Sequence, residues 1–233
     1  MDNLFMNRNV LAIYEKLNTH YGDLKWWPAK TPYEMIVGAV LTQNTAWSNV
    51  EKAIANFGDN LTPQFVLDAD IAELAVVIRS AGFFNQKAAY LKAVTAWFGK
   101  YNFDVPTVQR EPLEKLRPEL LSIKGIGKET ADSILLYAFG FPTFVIDAYT
   151  MRLCGRYPIN AGGYLTHSRK KRGNAFAYDT VKAHFEANLP RDVKLYNNYH
   201  AGIVYLCKDF CRKSKPLCDK CPLWGMCERI GLA

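Results

Sequence analysis

The sequence contains no run that approaches the roughly 18 uninterrupted apolar residues of a membrane span, so no span is expected. Its start, MDNLFMNRNV, lacks the basic opening and apolar stretch of a secretory signal. Low-complexity segments are absent, and alternating strand-like runs are scarce. These absences predict a folded, soluble, cytoplasmic protein (nucleoid-associated if bacterial) of the all-α class. Six cysteines without a secretory signal also argue against a disulfide framework.

What is present is substantial. The 233 residues, 49% of them hydrophobic, suffice for one large or two modest domains with proper cores. A net charge of +7 and a pI near 9.0 favour a polyanionic partner, although many soluble proteins are mildly basic for solubility alone. The charge is clustered: Arg169 to Arg172 form one run, and Arg212, Lys213 and Lys215 lie among cysteines. Such runs are often solvated loops, so charge leaves both readings open.

Cys154 and Cys207 stand alone in apolar helical sequence and read as buried thiols. Cys211, Cys218, Cys221 and Cys227 instead form a C-x6-C-x2-C-x5-C cluster. Four thiolates accept either zinc or a 4Fe-4S cluster. Structural zinc sites more often use two C-x2-C knuckles, and only Cys218 and Cys221 make one here, which tips the chemistry slightly toward iron.

Helical periodicity runs almost throughout. Val10, Ile13, Tyr14, Leu17 and Tyr21 mark one stripe. Thr31-Pro32-Tyr33-Glu34 reads as a capping box opening a helix to about Leu41. A stripe from Trp47 to Phe57 ends near Gly58, and Thr62-Pro63 and Asp70 start short helices. Gly82 stops the latter, and Asn85 is expected to cap a longer helix. Trp97 and Trp224 read as core residues. Pro106, Pro112 and Pro118 suggest a looser segment before the pattern tightens over Leu120 to Phe139. An extended run, Thr143 to Ile146, leads into Asp147 and another helix. A basic surface loop over 161–174 and helices over about 175–188 and 192–209 complete the pattern.

Lys124-Gly125-Ile126-Gly127-Lys128 separates two apolar helical stretches, the second opened by Thr130 and Ala131. Two glycines around one aliphatic residue permit a tight turn whose backbone N–H groups can hold a phosphate oxygen. Alone, the turn is equally a plain helical connection. With Leu121 before it and Gly140, Pro142 and Asp147 after it, it resembles the hairpin of the helix-hairpin-helix DNA glycosylases, the endonuclease III superfamily. Leu41 to Thr45 resembles that family's segment whose glutamine, here Gln43, fills the gap left by a flipped base. Gly82 to Ala88, with Phe83, Asn85 and Lys87, resembles its wedge loop. The resemblance spans about Trp26 to Cys227.

It implies a two-domain fold: a six-helix domain over about 30–135 with the hairpin, and a discontinuous domain of 1–29 with 136–233. The active site would lie in the cleft between them. It implies a monomer acting on double-stranded DNA that contains a damaged base. Gly125, Gly127, Lys128 and Thr130 would grip the backbone. The cysteine spacing matches the family's 4Fe-4S loop, which would staple the tail and present Arg212 and Lys213 to DNA.

Asp147 is the expected catalytic residue. Breaking a base–sugar bond gives the sugar oxocarbenium character, which a nearby carboxylate stabilises. At a helix start the dipole keeps such a carboxylate ionised, although a plain N-cap would occupy the same place. Glu129 departs from the bifunctional family members, which carry a Schiff-base lysine there; a carboxylate forms no imine. This predicts release of the base without strand cleavage. Trp26-Trp27-Pro28, Trp47 and Gly125 to Asp132 resemble the 3-methyladenine glycosylase branch, which implies a base pocket of Trp26, Trp27, Trp47 and Glu129. Aromatic faces and a carboxylate would suit a cationic alkylated purine. The alternatives are mismatched thymine or uracil, oxidised pyrimidines, a non-catalytic iron–sulfur DNA-binding protein, and a zinc-stabilised binding protein.

Overall fold

The computed structural model describes residues 8–157, 159 and 175–232. The whole of the expected basic loop 161–174, Arg169 to Arg172 included, thus lies outside the described residues. Among the described residues, regular structure is helical, with no strand. In chain order, α1 is Arg8–Tyr21, α2 Pro32–Leu41, α3 Trp47–Phe57, α4 Pro63–Asp68 and α5 Ile71–Val77. Then follow α6 Phe84–Gly99, α7 Val105–Gln109, α8 Leu113–Ser122, α9 Lys128–Ser133, α10 Ala148–Arg156, α11 Ala175–Ala187 and α12 Val193–Asp209. The chain divides into two compact units, Trp27–Phe141 and the discontinuous Met1–Trp26 with Pro142–Ala233.

Within Trp27–Phe141, α2 is buried nearly all round, and Ile36, Val37, Val40 and Leu41 are fully enclosed. Side chains from the surrounding helices, among them Val50, Leu74, Leu91, Leu120 and Leu135, close on it. Thr31 caps α2 by accepting from the Glu34 N–H at 3.0 Å, and Thr62 caps α4 by accepting from Phe65 at 3.2 Å. The loose proline segment is corrected: the structure forms α7 and α8 there. Pro106 sits in a first turn, where no intrahelical N–H is needed, and Pro112 flanks the next start. Pro118 lies inside α8, which runs through it despite the missing donor.

The Asn85 cap is corrected too. α6 begins two residues earlier than that cap would set it, and its N-cap is Phe83, in the left-handed region (φ 47°, ψ 30°) with no side-chain cap bond. Beneath the hairpin, Arg117 on α8 clamps the fully buried Asp132 with two bonds, 2.8 and 3.0 Å long. α9 runs straight into a π-helical turn, Ile134–Ala138.

In the discontinuous unit, α1 packs on α12. A Cβ at Gly202 would meet the Leu17 side chain at 3.3 Å, so the missing side chain permits this close approach. Tyr199 of α12 donates to the Val10 carbonyl at 2.8 Å. The extended run Thr143 to Ile146 is buried against α11 and α12. Phe144 stacks on Phe185 at 4.5 Å and meets Tyr196 and Tyr199 edge-on. Its N–H donates to Glu186 at 2.8 Å, which satisfies a backbone group that no strand partner could.

Candidate functional site

Asp147 ends the extended run and is the N-cap of α10. Its Oδ1 accepts from the Thr150 N–H at 2.7 Å and from the Thr150 hydroxyl at 2.9 Å. Its Oδ2 faces His200 Nε2 at 3.5 Å. The two residues are only 9% and 4% exposed. Burial pushes the Asp147 carboxyl up, but His200 and the Thr150 bonds more than offset it and leave it below the ordinary aspartate value. The result is an ionised carboxylate in a nearly dry setting, where charge acts most strongly. Sequence reasoning missed His200. Its signal was a histidine inside the otherwise apolar face of α12 from Tyr199 to Leu206.

At the hairpin, Gly125 has φ +91°, and a Cβ there would run into the Tyr90 ring, so glycine is required twice over. Gly127 differs. Its extended φ of −87° suits any residue, and a Cβ there would meet nothing within 4 Å, so its value is open space before α9. Gln43 Nε2 donates to the Gly125 carbonyl and to Thr130 Oγ1, both at 2.9 Å, tying the end of α2 to the turn. Thr130 is 7% exposed, and its hydroxyl braces the turn from inside by accepting from Gln43. Lys128 is half-buried and Glu129 exposed on the first turn of α9.

The wedge loop splits in two. Phe83 is 64% exposed on its left-handed backbone, beside Gly82 with φ +68°, and Asn85 is exposed in the first turn of α6. Lys87 corrects its expected DNA contact. It is 2% exposed, and its Nζ donates to the Leu41 and Ala81 carbonyls, both at 2.8 Å. Burial lowers its pKa to about 8.

The aromatic residues also divide. Trp27 meets Trp47 edge-on at 5.2 Å and Tyr137, carried by the π-helical turn, at 5.4 Å. Gly38 lies under this pair, where a Cβ would contact the Trp27 indole at 3.5 Å. Tyr137 was not foreseen, because the π-helical turn shifts the helical register. Trp26 belongs to a different group: its ring meets Tyr205 at 5.8 Å, and the Lys208 ammonium lies 5.8 Å from its centre. Trp97 is buried as expected, donating to Glu119 at 2.8 Å. Trp224 is corrected from core to surface: it is 48% exposed, with the Arg229 guanidinium 4.1 Å above its ring.

Cys154 and Cys207 are buried, as expected. Cys211, Cys218, Cys221 and Cys227 are half-buried free thiols on the C-terminal loop. Among the described residues, no three His, Cys, Asp or Glu side chains already stand as a metal-holding group. The four thiols nevertheless act on one another. Burial, and then repulsion from Cys211, Cys227 and Cys218, pushes Cys221 up to about 11. A hydrogen bond with Cys207, assisted by Arg156, lowers Cys211 to about 6. Arg156 donates to Cys211 Sγ at 3.2 Å, to the Arg212 carbonyl at 2.7 Å and to the Lys213 carbonyl at 3.2 Å. Arg152 donates to the Cys211 carbonyl at 3.2 Å. The far end of α10 is thereby bound to this loop, on which Arg212, Lys213 and Lys215 are exposed.

Residues 37–172 match the HhH-GPD superfamily of base excision DNA repair proteins. A putative DNA repair glycosylase of Methanocaldococcus jannaschii is 46% identical over 94% of this chain and 95% of its own. Among solved structures, a trapped endonuclease III–DNA covalent intermediate superposes with a TM-score of 0.75 at 22% identity, covering 96% of both chains. The H. pylori 3-methyladenine DNA glycosylase bound to 1,N6-ethenoadenine superposes with a TM-score of 0.66 at 26% identity, covering 87% of this chain and 97% of that one.

Proposed function

This chain belongs to the HhH-GPD superfamily of base excision DNA repair proteins, and on that premise we propose that it is a monofunctional glycosylase. It takes an alkylated purine of the 3-methyladenine kind from double-stranded DNA and leaves an abasic site. The observation that carries this reading is Asp147, a buried carboxylate held ionised at the start of α10. When a damaged base is rotated out of the stack, its bond to C1′ weakens and the sugar becomes positive. A fixed negative charge then stabilises the transition state more than the bound substrate, which is the condition for rate acceleration. Water attacks C1′, the base leaves with the bonding electrons, and the proton lost by water goes to solvent or to the carboxylate.

Glu129 supports the monofunctional assignment, since no amine stands at that position to form an imine. Trp27, Trp47 and Tyr137 support the substrate class. Aromatic faces attract a methylated, cationic base by roughly 0.5–2 kcal/mol each, and such a base needs little protonation to leave. The hairpin at Gly125 to Lys128, the exposed Phe83, and the Arg212–Lys215 segment supply backbone and wedge contacts to DNA.

We also read the four loop cysteines as ligands of a 4Fe-4S cluster. Their mutual repulsion and the lowered Cys211 fit a site that takes up thiolates around positive charge. The cluster would supply cross-linking, holding a short tail that has little core of its own.

The test is a base-release assay on duplexes carrying methylated purine, oxidised pyrimidine or a mismatched thymine, with parallel sodium borohydride trapping. Release of the methylated purine without a trapped adduct is expected. A covalent enzyme–DNA adduct would refute the monofunctional reading, and preference for either other duplex would refute the substrate class.

A further inference from the structure

Asp147 is held at both oxygens by partners of different kinds. Oδ1 takes two bonds from Thr150, three residues along the same turn, which closes the helix cap locally. Oδ2 is addressed from a distant element, by His200 in the middle of α12 at 3.5 Å. That distance is at the outer limit of a hydrogen bond, so the contact is looser than either Thr150 bond. It does not take up Oδ2 as the two Thr150 bonds take up Oδ1.

We propose that His200 is a positioning residue for Asp147: its Nε2 fixes the rotation of the carboxylate and makes Oδ2 the oxygen presented to the anomeric carbon. The inference rests on the glycosylase reading of Asp147 and deepens it. The two Thr150 bonds anchor Oδ1 and leave the tilt of the carboxylate plane, and so the place of Oδ2, less closely set; a misplacement of about 1 Å costs roughly 100-fold in rate. His200, buried and set on a long helix, removes that freedom.

Among the described residues, the other titratable groups that feel the Asp147 charge are the Cys154 thiol on α10 and the Cys207 thiol on α12. Burial pushes the Cys154 thiol up to about 12, so it stays neutral. Arg152 on α10 is the further cation in reach of Cys207. Among the described residues, His200 is the ionisable side chain that faces Asp147 Oδ2.

The test uses the full chain with His200→Phe and His200→Gln. Single-turnover base release from methylated duplex is measured beside duplex affinity, and the Asp147 carboxyl is titrated by carbon-13 NMR. In His200→Phe, release is expected to fall by ~10- to 100-fold with affinity unchanged, while the Asp147 midpoint rises. His200→Gln keeps an N–H donor without a charge, so it should recover most of the rate and raise the midpoint as well. A wild-type rate in His200→Phe overturns the proposal. So does an unmoved midpoint in either variant, and equal losses in both at unchanged midpoint point to packing alone. Should His200→Phe fail to fold, the Gln midpoint decides. Should wild-type protein release no base while the midpoint still rises in the variants, the pairing stands and the glycosylase reading falls.

Discussion

Asp147 caps the helix through one oxygen and, on the proposed reading, serves the chemistry through the other, and substitution separates the two duties. Asn still caps a helix well, whereas Ala costs about 1 kcal/mol. Asp147→Asn is therefore expected to melt near wild type yet lose ~100-fold or more in base release, and Asp147→Ala to lose both. Thermal melting beside the release assay checks this, and wild-type release by Asp147→Asn would remove Asp147 from the chemistry. The folded pKa lies below the ordinary value of 3.8, so the unfolded chain binds the proton more readily as pH drops. The carboxylate's stability is fully present above about pH 4 and is lost as pH falls through the folded value. Urea unfolding between pH 7 and pH 3 should show wild type losing more stability than Asp147→Asn. Lys87 has a structural duty: its buried ammonium satisfies two carbonyls. Lys87→Met leaves two carbonyls without their donor, which costs about 1–3 kcal/mol for a buried group. Denaturant melts should show that loss, whereas an exposed lysine would show almost none.

At the scale of the element, the hairpin depends on Gly125 far more than on Gly127. Gly125→Ala combines a positive φ with a collision against Tyr90. It is expected to lower stability by about 1–3 kcal/mol and to weaken duplex binding, while Gly127→Ser should fold normally. Calorimetry with fluorescence anisotropy on labelled duplex reads both. Local signals were legible where the chemistry is local: Thr31 and Thr62 announce their helices because a hydroxyl three residues ahead of a donor is sufficient. Asn85 misled because Phe83 starts its helix from a strained backbone conformation that no side-chain type announces. Pro118 misled because burial of Leu116 and Leu120 holds α8 together across the missing donor. Lys87 and Thr130 were assigned by motif, but their directions are set by tertiary carbonyls and by Gln43. Asp147 was legible because extended run, carboxylate and helix start are contiguous. His200 was not, because its partner lies more than fifty residues away.

For the whole molecule, α10 joins the cysteine loop to Asp147, which stands at its start while Arg152 and Arg156 are bound to the loop. On the iron–sulfur reading, Cys211→Ser should lose the brown visible absorbance and render the tail beyond Phe210 sensitive to protease. Base release should fall with it, because the far end of α10 has lost its tether. Iron analysis, limited proteolysis and the release assay on one preparation test this, and a colourless wild-type protein containing zinc would replace iron in the proposal.

The discontinuous unit has a consequence for synthesis. Tyr199 closes on Val10 across 189 residues, so α1 emerges from the ribosome long before its partner exists. The stretch Trp27–Phe141 is contiguous and can condense as soon as it is complete, during translation. The unit holding Asp147 must wait for α12, and pays the larger loop-closure entropy of distant pairing. A nascent or truncated chain therefore acquires its hairpin and Phe83 before Asp147 and His200 can meet, and the capacity to cut a glycosidic bond arrives last.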